Sequence, residues 1–307
     1  MKLPSDIIEV RNSNIYNNKI TKDINIISLS DIHICNNTKM SKLDFIINTV
    51  NNEHPDYICI LGDLIDSPEI IDNIDNRIKV FTFLKELSKI TKVFIVIGNH
   101  DYIHYYKYMK HQEDFNTNYF DQINNLNNIH MLIDDTYTDD NIFIMGYFDK
   151  YHIYHNRDMN TFSDDIKDKT YLYKDIPKDK YDIMLMHSPE PLKVISNRKY
   201  VSDYDLVLGG HYHNGCLPAF LEHIWLPSDG GIVTPAKDIF PRHCRGVEKL
   251  DDNSYLFYNG GIVKMANNTP KLMHFLDYLC YRQIDSFKIT NKKTDKDIDI
   301  SYKLVRK

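Results

Sequence analysis

Tyr57-Ile-Cys-Ile-Leu61-Gly62-Asp63-Leu64-Ile65-Asp66 decides the fold. Its first five residues are apolar without a break, and they stop at a glycine followed by a carboxylate. A strand apolar on both faces is buried on both, as in a parallel sheet covered by helices. The same pattern recurs on either side. Ile24–Leu29 runs into Ser30-Asp31-Ile32-His33, and Val93–Ile97 runs into Gly98-Asn99-His100-Asp101. Between these runs lie two helical patterns. Leu43, Ile46, Ile47 and Val50 follow the i, i+3, i+4, i+7 spacing of one helix face, and Val80, Phe83, Leu84 and Leu87 repeat it. Ser41 with Asp44 has the spacing of a capping box, with Asp in place of Glu. The result is βαβαβ, with right-handed crossovers. Ile142–Met145, Ile183–Met186, Leu206–Leu208 and Tyr255–Tyr258 add further short runs. An α/β domain is expected, with one central sheet or two packed sheets.

The chain has 307 residues, 42% hydrophobic and 26% charged. That supports a sizeable core in one large domain or two small ones. A net charge of −6 points to no partner through its field, and argues mildly against a protein that coats nucleic acid. The five cysteines are scattered, with no CxxC pair, and read as reduced thiols of a cytoplasmic protein. Residues 1–22 hold no apolar signal-peptide core, and no window approaches the roughly 20 apolar residues of a membrane span. The polar, charged stretch 291–307 reads as a C-terminal tail on a domain spanning 1–290.

Five polar sets follow the apolar runs: Asp31-x-His33, Gly62-Asp63-x-x-Asp66, Gly98-Asn99-His100-Asp101, His187, and Gly210-His211-x-His213. In open α/β sheets ligands bind beyond the carboxyl ends of the strands, so such a sheet gathers these sets at one edge. Imidazole with carboxylate suits divalent manganese, iron, zinc or nickel. Asp31 and His33, two apart, can chelate one ion together. Asp63 can bridge two ions, Asn99 offers an amide oxygen, and His187, His211 and His213 offer nitrogens. That is enough for two ions at about 3.5–4 Å.

In this order the five sets resemble the calcineurin-like metallophosphoesterase superfamily, whose pattern is DxH, GDxxD, GNH(D/E), H, GHxH. The motifs cover about Ile24 to His213, with weaker similarity to about Lys264. The resemblance implies two packed mixed β-sheets flanked by helices, a metallophosphoesterase domain over 1–290, and a dinuclear metal-dependent phosphoesterase. It assigns Asp31, His33, Asp63 and His213 to one metal, and Asp63, Asn99, His187 and His211 to the other. It makes His100 the general acid and Asp66 its orienting partner, with hydroxide held between the metals as nucleophile. Manganese is the first expectation for both ions. Ser67 stands where the protein Ser/Thr phosphatases of the superfamily carry an Arg, which disfavours a phosphoprotein substrate. Gly209–Gly215 and the Pro- and Gly-rich stretch after it look most like small bacterial phosphodiesterase-type members, so the expected substrate is a small phosphodiester. The alternatives are a metal-dependent DNA or RNA nuclease and a non-catalytic metal-binding scaffold.

Other segments read more blandly. The Tyr- and His-rich insertion 102–119 is a surface helix or a substrate lid. His152 and His155, among Tyr147, Tyr151 and Tyr154, are candidates for a substrate rim, and His104, His111 and His130 read as surface or core residues. Arg242 and His243 suit phosphate contact or a surface loop, and Trp225 suits the core. Leu272–Tyr281 reads as a core helix or strand, although it is apolar and aromatic enough to touch a bilayer peripherally. Oligomeric state has no signature in the sequence.

Overall fold

The computed structural model describes residues 3–66, 73–101, 119–148, 159–172, 177–221, 229–234, 238–264, 274–293 and 296–307. Their strands are β1 (Ile7–Tyr16), β2 (Ile24–Leu29), β3 (Tyr57–Leu61), β4 (Lys92–Val96), β5 (Ile129–Met131), β6 (Asp135–Thr138), β7 (Ile142–Tyr147), β8 (Tyr181–Met186), β9 (Leu206–Gly209), β10 (Gly246–Asp251), β11 (Ser254–Tyr258), β12 (Arg282–Thr290) and β13 (Ile298–Arg306). They form two mixed sheets, ordered β13-β1-β12-β2-β3-β4-β5 and β10-β11-β9-β8-β7-β6. Helices α1 (Met40–Asn52) and α2 (Ile74–Ile90) connect β2 to β3 and β3 to β4. The expected βαβαβ unit is therefore present, with β2, β3 and β4 in parallel register.

The unbroken apolar runs have a physical cause. On one face of the first sheet, Ile27, Leu29, Ile58, Ile60, Val93 and Ile95 pack with Leu43, Ile46 and Val50 of α1 and Val80, Phe83, Leu84 and Leu87 of α2. On the other face, Ile24, Ile26, Tyr57, Cys59, Leu61, Phe94 and Val96 pack with Ile142, Ile144, Ile183, Leu185, Leu206 and Leu208 of the second sheet. Each strand thus serves two apolar layers. Phe287 of β12 meets Phe257 of β11 edge to face across this inter-sheet layer, at 4.8 Å between ring centres, and both are fully buried. Phe287→Ala should lower unfolding free energy by about 3–5 kcal/mol. A urea midpoint that barely moves would show that the layer closes without this pair.

Several expectations need correction. Ile298–Arg306, inside the expected tail, is strand β13, paired antiparallel with β1. Most of its residues are exposed, as suits a charged edge strand, and its polar composition hid it. β1 and β12 were not anticipated either. The capping box at Ser41 does not form: α1 starts at Met40, with Lys39 at the N-cap position and no side-chain cap. Leu272–Tyr281 is not a core helix or strand where it is described, although Cys280 is fully buried. His274–Leu279 is a short helix with no buried residue, and Phe275 and Tyr278 are each 54% exposed. Residues 102–118, Tyr151, His152, Tyr154, His155, Ser67 and Trp225 lie outside the described residues, so the insertion, rim and core readings made on them stay untouched. His130 lies in β5, its ring stacked on Phe94. All five cysteines are free. No described helix is long and apolar enough to cross a membrane.

Asp277 in the short surface helix ties two ends of the fold together. Its carboxylate accepts from both guanidinium nitrogens of Arg282, at 2.5 and 2.6 Å, and from the Lys264 amide at 2.8 Å. Partial burial raises its pKa, but the Arg282 contacts outweigh this and hold it at about 2. A carboxylate with a depressed folded-state pKa stabilises the fold above its unfolded pKa, and that contribution disappears as pH falls through the folded one. Asp277→Asn should therefore cost about 2 kcal/mol at neutral pH. The gap between variant and parent should narrow as pH drops from about 4 toward 2, which denaturant titrations at several pH values would show. A gap that stays constant would refute the linkage.

Candidate metal centre

β2, β3, β4, β8 and β9 all deliver polar residues just beyond their carboxyl ends. The first sheet contributes Asp31, His33, Asp63 and Asn99, and the second contributes His187, His211 and His213. Asp31, His33, Asp63, His187, His211 and His213 are all buried. They converge in two groups. Ligand atoms of Asp31, His33 and His213 lie within 4.8 Å of one another, and so do those of Asp63, His187 and His211. A third overlapping group, His33, Asp63 and His100, joins them.

Asp63 stands at the join. Its Oδ2 lies 3.3 Å from His187 Nε2 and 3.7 Å from His33 Nε2. Its Oδ1 accepts the His100 backbone amide at 2.7 Å. Asn99 Oδ1 lies 2.9 Å from His187 Nε2, and Asp31 Oδ1 lies 3.2 Å from His213 Nε2. Backbone carbonyls fix two of the imidazoles. His187 Nδ1 donates to Leu61 O at 2.7 Å, and His213 Nδ1 donates to Val263 O at 2.6 Å. Because a carbonyl only accepts, each Nδ1 carries a proton, and each Nε2 is the ring nitrogen turned toward the metal groups. This is how metal-binding histidines are commonly oriented.

The local backbone is unusual. Asp31, His33, Asp63, His211 and His213 all have φ between +47° and +70°. That region costs a non-glycine residue roughly 1–3 kcal/mol and is tolerated best by Asp, Asn and His. A sharp reversal directly after each strand turns these side chains over the sheet edge. Gly62 (φ +82°) and Gly98 are packed so closely that a Cβ on Gly98 would sit 2.2 Å from Asp63 Oδ1.

The residues present fit a pair of divalent ions. Asp31 Oδ1 and both ring nitrogens of His33 are buried without a hydrogen-bond partner, an expensive arrangement unless a cation completes it. The donor separations of 2.9–3.7 Å match what ligands about 2.1 Å from a shared ion would adopt. Electrostatics agree. Burial, with the nearby His100, holds His33 well below the ordinary imidazole pKa, and burial with His187 does the same to His211. Burial lowers His213 as well. Burial would also lower His187, but Asp63 overrides it and pushes the pKa up to about 10, so a metal ion has to displace that proton. Burial would raise Asp63, yet His187 and His100 hold it well below the usual carboxylate range.

His100 and Asp66 are also at the site, with one change of detail. His100 Nδ1 meets the backbone carbonyl of Asp66 rather than its carboxylate. The Asp66 carboxylate lies instead 3.6 Å from His33 Nδ1. The His33 and His100 rings stand edge to face, 4.6 Å apart. Burial alone would lower the pKa of His100. The charge of Asp63, the Asp66 carbonyl and the Asp66 and Asp101 carboxylates hold it above the ordinary value.

Sequence reading missed the supports. Asp101 is buried and accepts from the amides of Gly98 (3.0 Å), Ile65 (3.1 Å) and Leu64 (3.3 Å), stitching two ligand loops together. Its presence inside GNHD was the available signal. Ser30 Oγ donates to Asp31 Oδ2, which also accepts the His211 amide at 3.1 Å. Arg242 is exposed, and His243 is half exposed, 3.3 Å from Asp229 and in contact with Glu248.

The chain is similar to several known proteins. An uncharacterized metallophosphoesterase of Campylobacter jejuni is 27% identical over 214 residues, covering 69% of this chain and 50% of that protein. One from Helicobacter pylori J99 is 30% identical over 212 residues, covering 67% and 49%. The chain thus spans about half the length of these relatives. Among solved structures, a dimetal phosphatase from Danio rerio aligns at 10% identity and TM-score 0.45, over 79% of this chain and 88% of that one. TT1561 of Thermus thermophilus aligns at 10% identity and TM-score 0.43, over 78% and 91%. The family model for calcineurin-like phosphoesterases matches residues 24–215, the span from the start of β2 to the turn after His213. On that match, and on the strand ends that carry its motifs, the chain belongs to the calcineurin-like phosphoesterase family.

Proposed function

We propose that the chain hydrolyses a small phosphodiester at a dinuclear centre. Asp31, His33 and His213 would hold one ion, Asn99, His187 and His211 the other, and Asp63 would serve both. The observation that carries this reading is the position of Asp63 Oδ2, between His187 of one group and His33 of the other. Two divalent ions there would supply Lewis-acid charge for phosphoryl oxygens and acidify a water to a pKa of about 7.

The chain's own residues do the rest. Asp63 Oδ1 pins the His100 backbone, and the Asp66 carbonyl holds the Nδ1 proton, which leaves Nε2 of His100 as the mobile position. A protonated Nε2 can pass its proton to the departing ester oxygen. Burial of the ligand atoms limits bulk water at the reacting phosphorus. Manganese is the metal we propose, in a reducing cytoplasm, since mixed oxygen and imidazole donors suit it.

The test is turnover of a chromogenic phosphodiester and of the matching monoester by chelator-stripped protein, with and without Mn²⁺. Metal-restored turnover that favours the diester is the expected result. Preference for the monoester would overturn the diester assignment. Metal binding without hydrolysis of either ester would point to a scaffold.

A further inference from the structure

One buried polar cluster lies away from the reacting atoms yet is connected to half of them. Arg11 of β1 is 1% exposed and Asp285 of β12 is fully buried. Arg11 Nε and Nη2 donate to the two carboxylate oxygens of Asp285, both at 2.8 Å, and Nη2 also donates to Tyr258 O at 2.9 Å. Arg11 Nη1 donates to Gly246 O at 3.1 Å. Asn259, one residue past β11, is equally buried. Its Nδ2 is shared among Asp285 Oδ2 (3.0 Å), Ser28 Oγ (3.0 Å) and Ser28 O (3.1 Å). Its own amide donates to Gly209 O at 2.7 Å.

From Asn259 the connection runs to the ligands. Its Oδ1 accepts the Gly261 amide at 2.9 Å, which shapes the turn over residues 260–264. The next two amides of that turn, Ile262 and Val263, donate to Ser30 O and Asp31 O at 3.0 and 2.9 Å. Val263 O accepts His213 Nδ1. Gly261 has φ +73°, and a Cβ there would lie 2.9 Å from the Asp31 Cβ, so the turn packs directly on that ligand. The same turn therefore sets the backbone of Asp31 and the ring of His213. On the other side of the centre, His187 leans on Leu61 O, and the loops of Asp63 and Asn99 are joined by Asp101. Among the described residues, the Arg11 cluster reaches that side only indirectly, through the Asn259 amide on Gly209 O and through Asp31 Oδ2, which accepts the His211 amide at 3.1 Å.

We propose that Arg11, Asp285 and Asn259 form a buried positioning relay that acts directly on the ion held by Asp31, His33 and His213, and only at second hand on the ion on Asn99, His187 and His211. The proposal rests on the dinuclear reading above. A buried ion pair is a poor way to stabilise a fold compared with apolar packing. Its directional bonds, however, fix where Asn259 sits, and Asn259 fixes the turn. Asp285 needs Arg11 for this, since burial pushes its carboxyl up and the guanidinium is the main opposing influence. The relay residues touch neither substrate nor metal, and they act through the Asp31 backbone and the Val263 carbonyl.

The experiment is Mn²⁺ titration of chelator-stripped full-length protein, read by calorimetry and by electron paramagnetic resonance. The parent should take up two ions and show a spin-coupled pair signal at saturation. Asn259→Ala should weaken one ion about 10–100-fold and the other by much less, with an isolated Mn²⁺ signal at intermediate metal. Asp285→Asn, which keeps the size but swaps one accepting oxygen for an NH₂ and removes the charge opposite Arg11, should give the same pattern, and Asn259→Ser, with a small polar side chain in the same place, serves if the others do not fold. A purely structural role would lower the melting temperature without changing the ratio of the two affinities, and that result would overturn the relay. So would equal weakening of both ions. A parent that binds no metal would sink the dinuclear reading and the relay with it, whereas a parent with two ions and a variant with both unchanged sinks the relay alone.

Discussion

Asp63→Asn is expected to cost both ions at once. The carboxylate is placed within reach of both ligand groups, with Oδ2 3.3 Å from His187 Nε2 and 3.7 Å from His33 Nε2. An amide of the same shape keeps one weak oxygen donor, removes the charge and turns an NH₂ toward nitrogens that need a cation. Changes one layer outside a metal ligand typically lower affinity about 10–100-fold, so loss of the shared ligand should exceed that range for both ions. The substitution also strips His187 of the charge that keeps its pKa raised. The measurement is metal content after dialysis, alongside diester turnover at saturating Mn²⁺. A variant that keeps two ions and full rate would dismiss Asp63 as the shared ligand.

His100→Asn is expected to separate binding from chemistry. His100 lies beside the ligands, and its ring is directed by the Asp66 carbonyl at Nδ1, leaving Nε2 to act. Loss of a positioned general acid costs about 10²–10⁴-fold in rate. Metal content should stay at two ions, because the neighbouring Asn99 and the His100 amide that bonds to Asp63 are both retained. Esters with a very acidic leaving group should lose far less, since their oxygen departs without a proton. Equal loss across leaving groups would remove the acid role from His100.

The metal groups were legible because sequence and geometry share one cause. A parallel sheet puts its strand ends on one edge, so Asp31, Asp63 and Asn99 had to be neighbours once the runs before them were read as strands, and so did His187 and His211; that the two sheets bring these edges together was implied only by the order of the motifs. The positive φ of the ligands was half legible, in that Asp and His tolerate it while β-branched residues do not. β1, β12 and β13 were not legible for the opposite reason. Arg11, Asp285 and Gln283 are polar residues buried within β1 and β12, and their partners are roughly 270 positions away, so no local pattern announces them. Asp66 shows the same limit on a smaller scale. Its nearness to His100 followed from the motif, but whether a carboxylate or a carbonyl makes the contact depends on a backbone turn that spacing does not encode.

The position of β12 has a consequence for how the protein is made. It lies between β1 and β2 in the sheet, yet it follows both of them, and all of the proposed metal ligands, in the chain. Until residues 282–290 leave the ribosome, β2 has an open edge and β1 has no neighbour on that side. Until then the nascent chain carries an apolar strand with one open edge and Asp31 at its end, a form prone to wrong pairings. Its first sheet closes from the middle, and a chain stopped before Arg282 would have all seven proposed ligand side chains and the whole second sheet, but nothing to join β1 to β2.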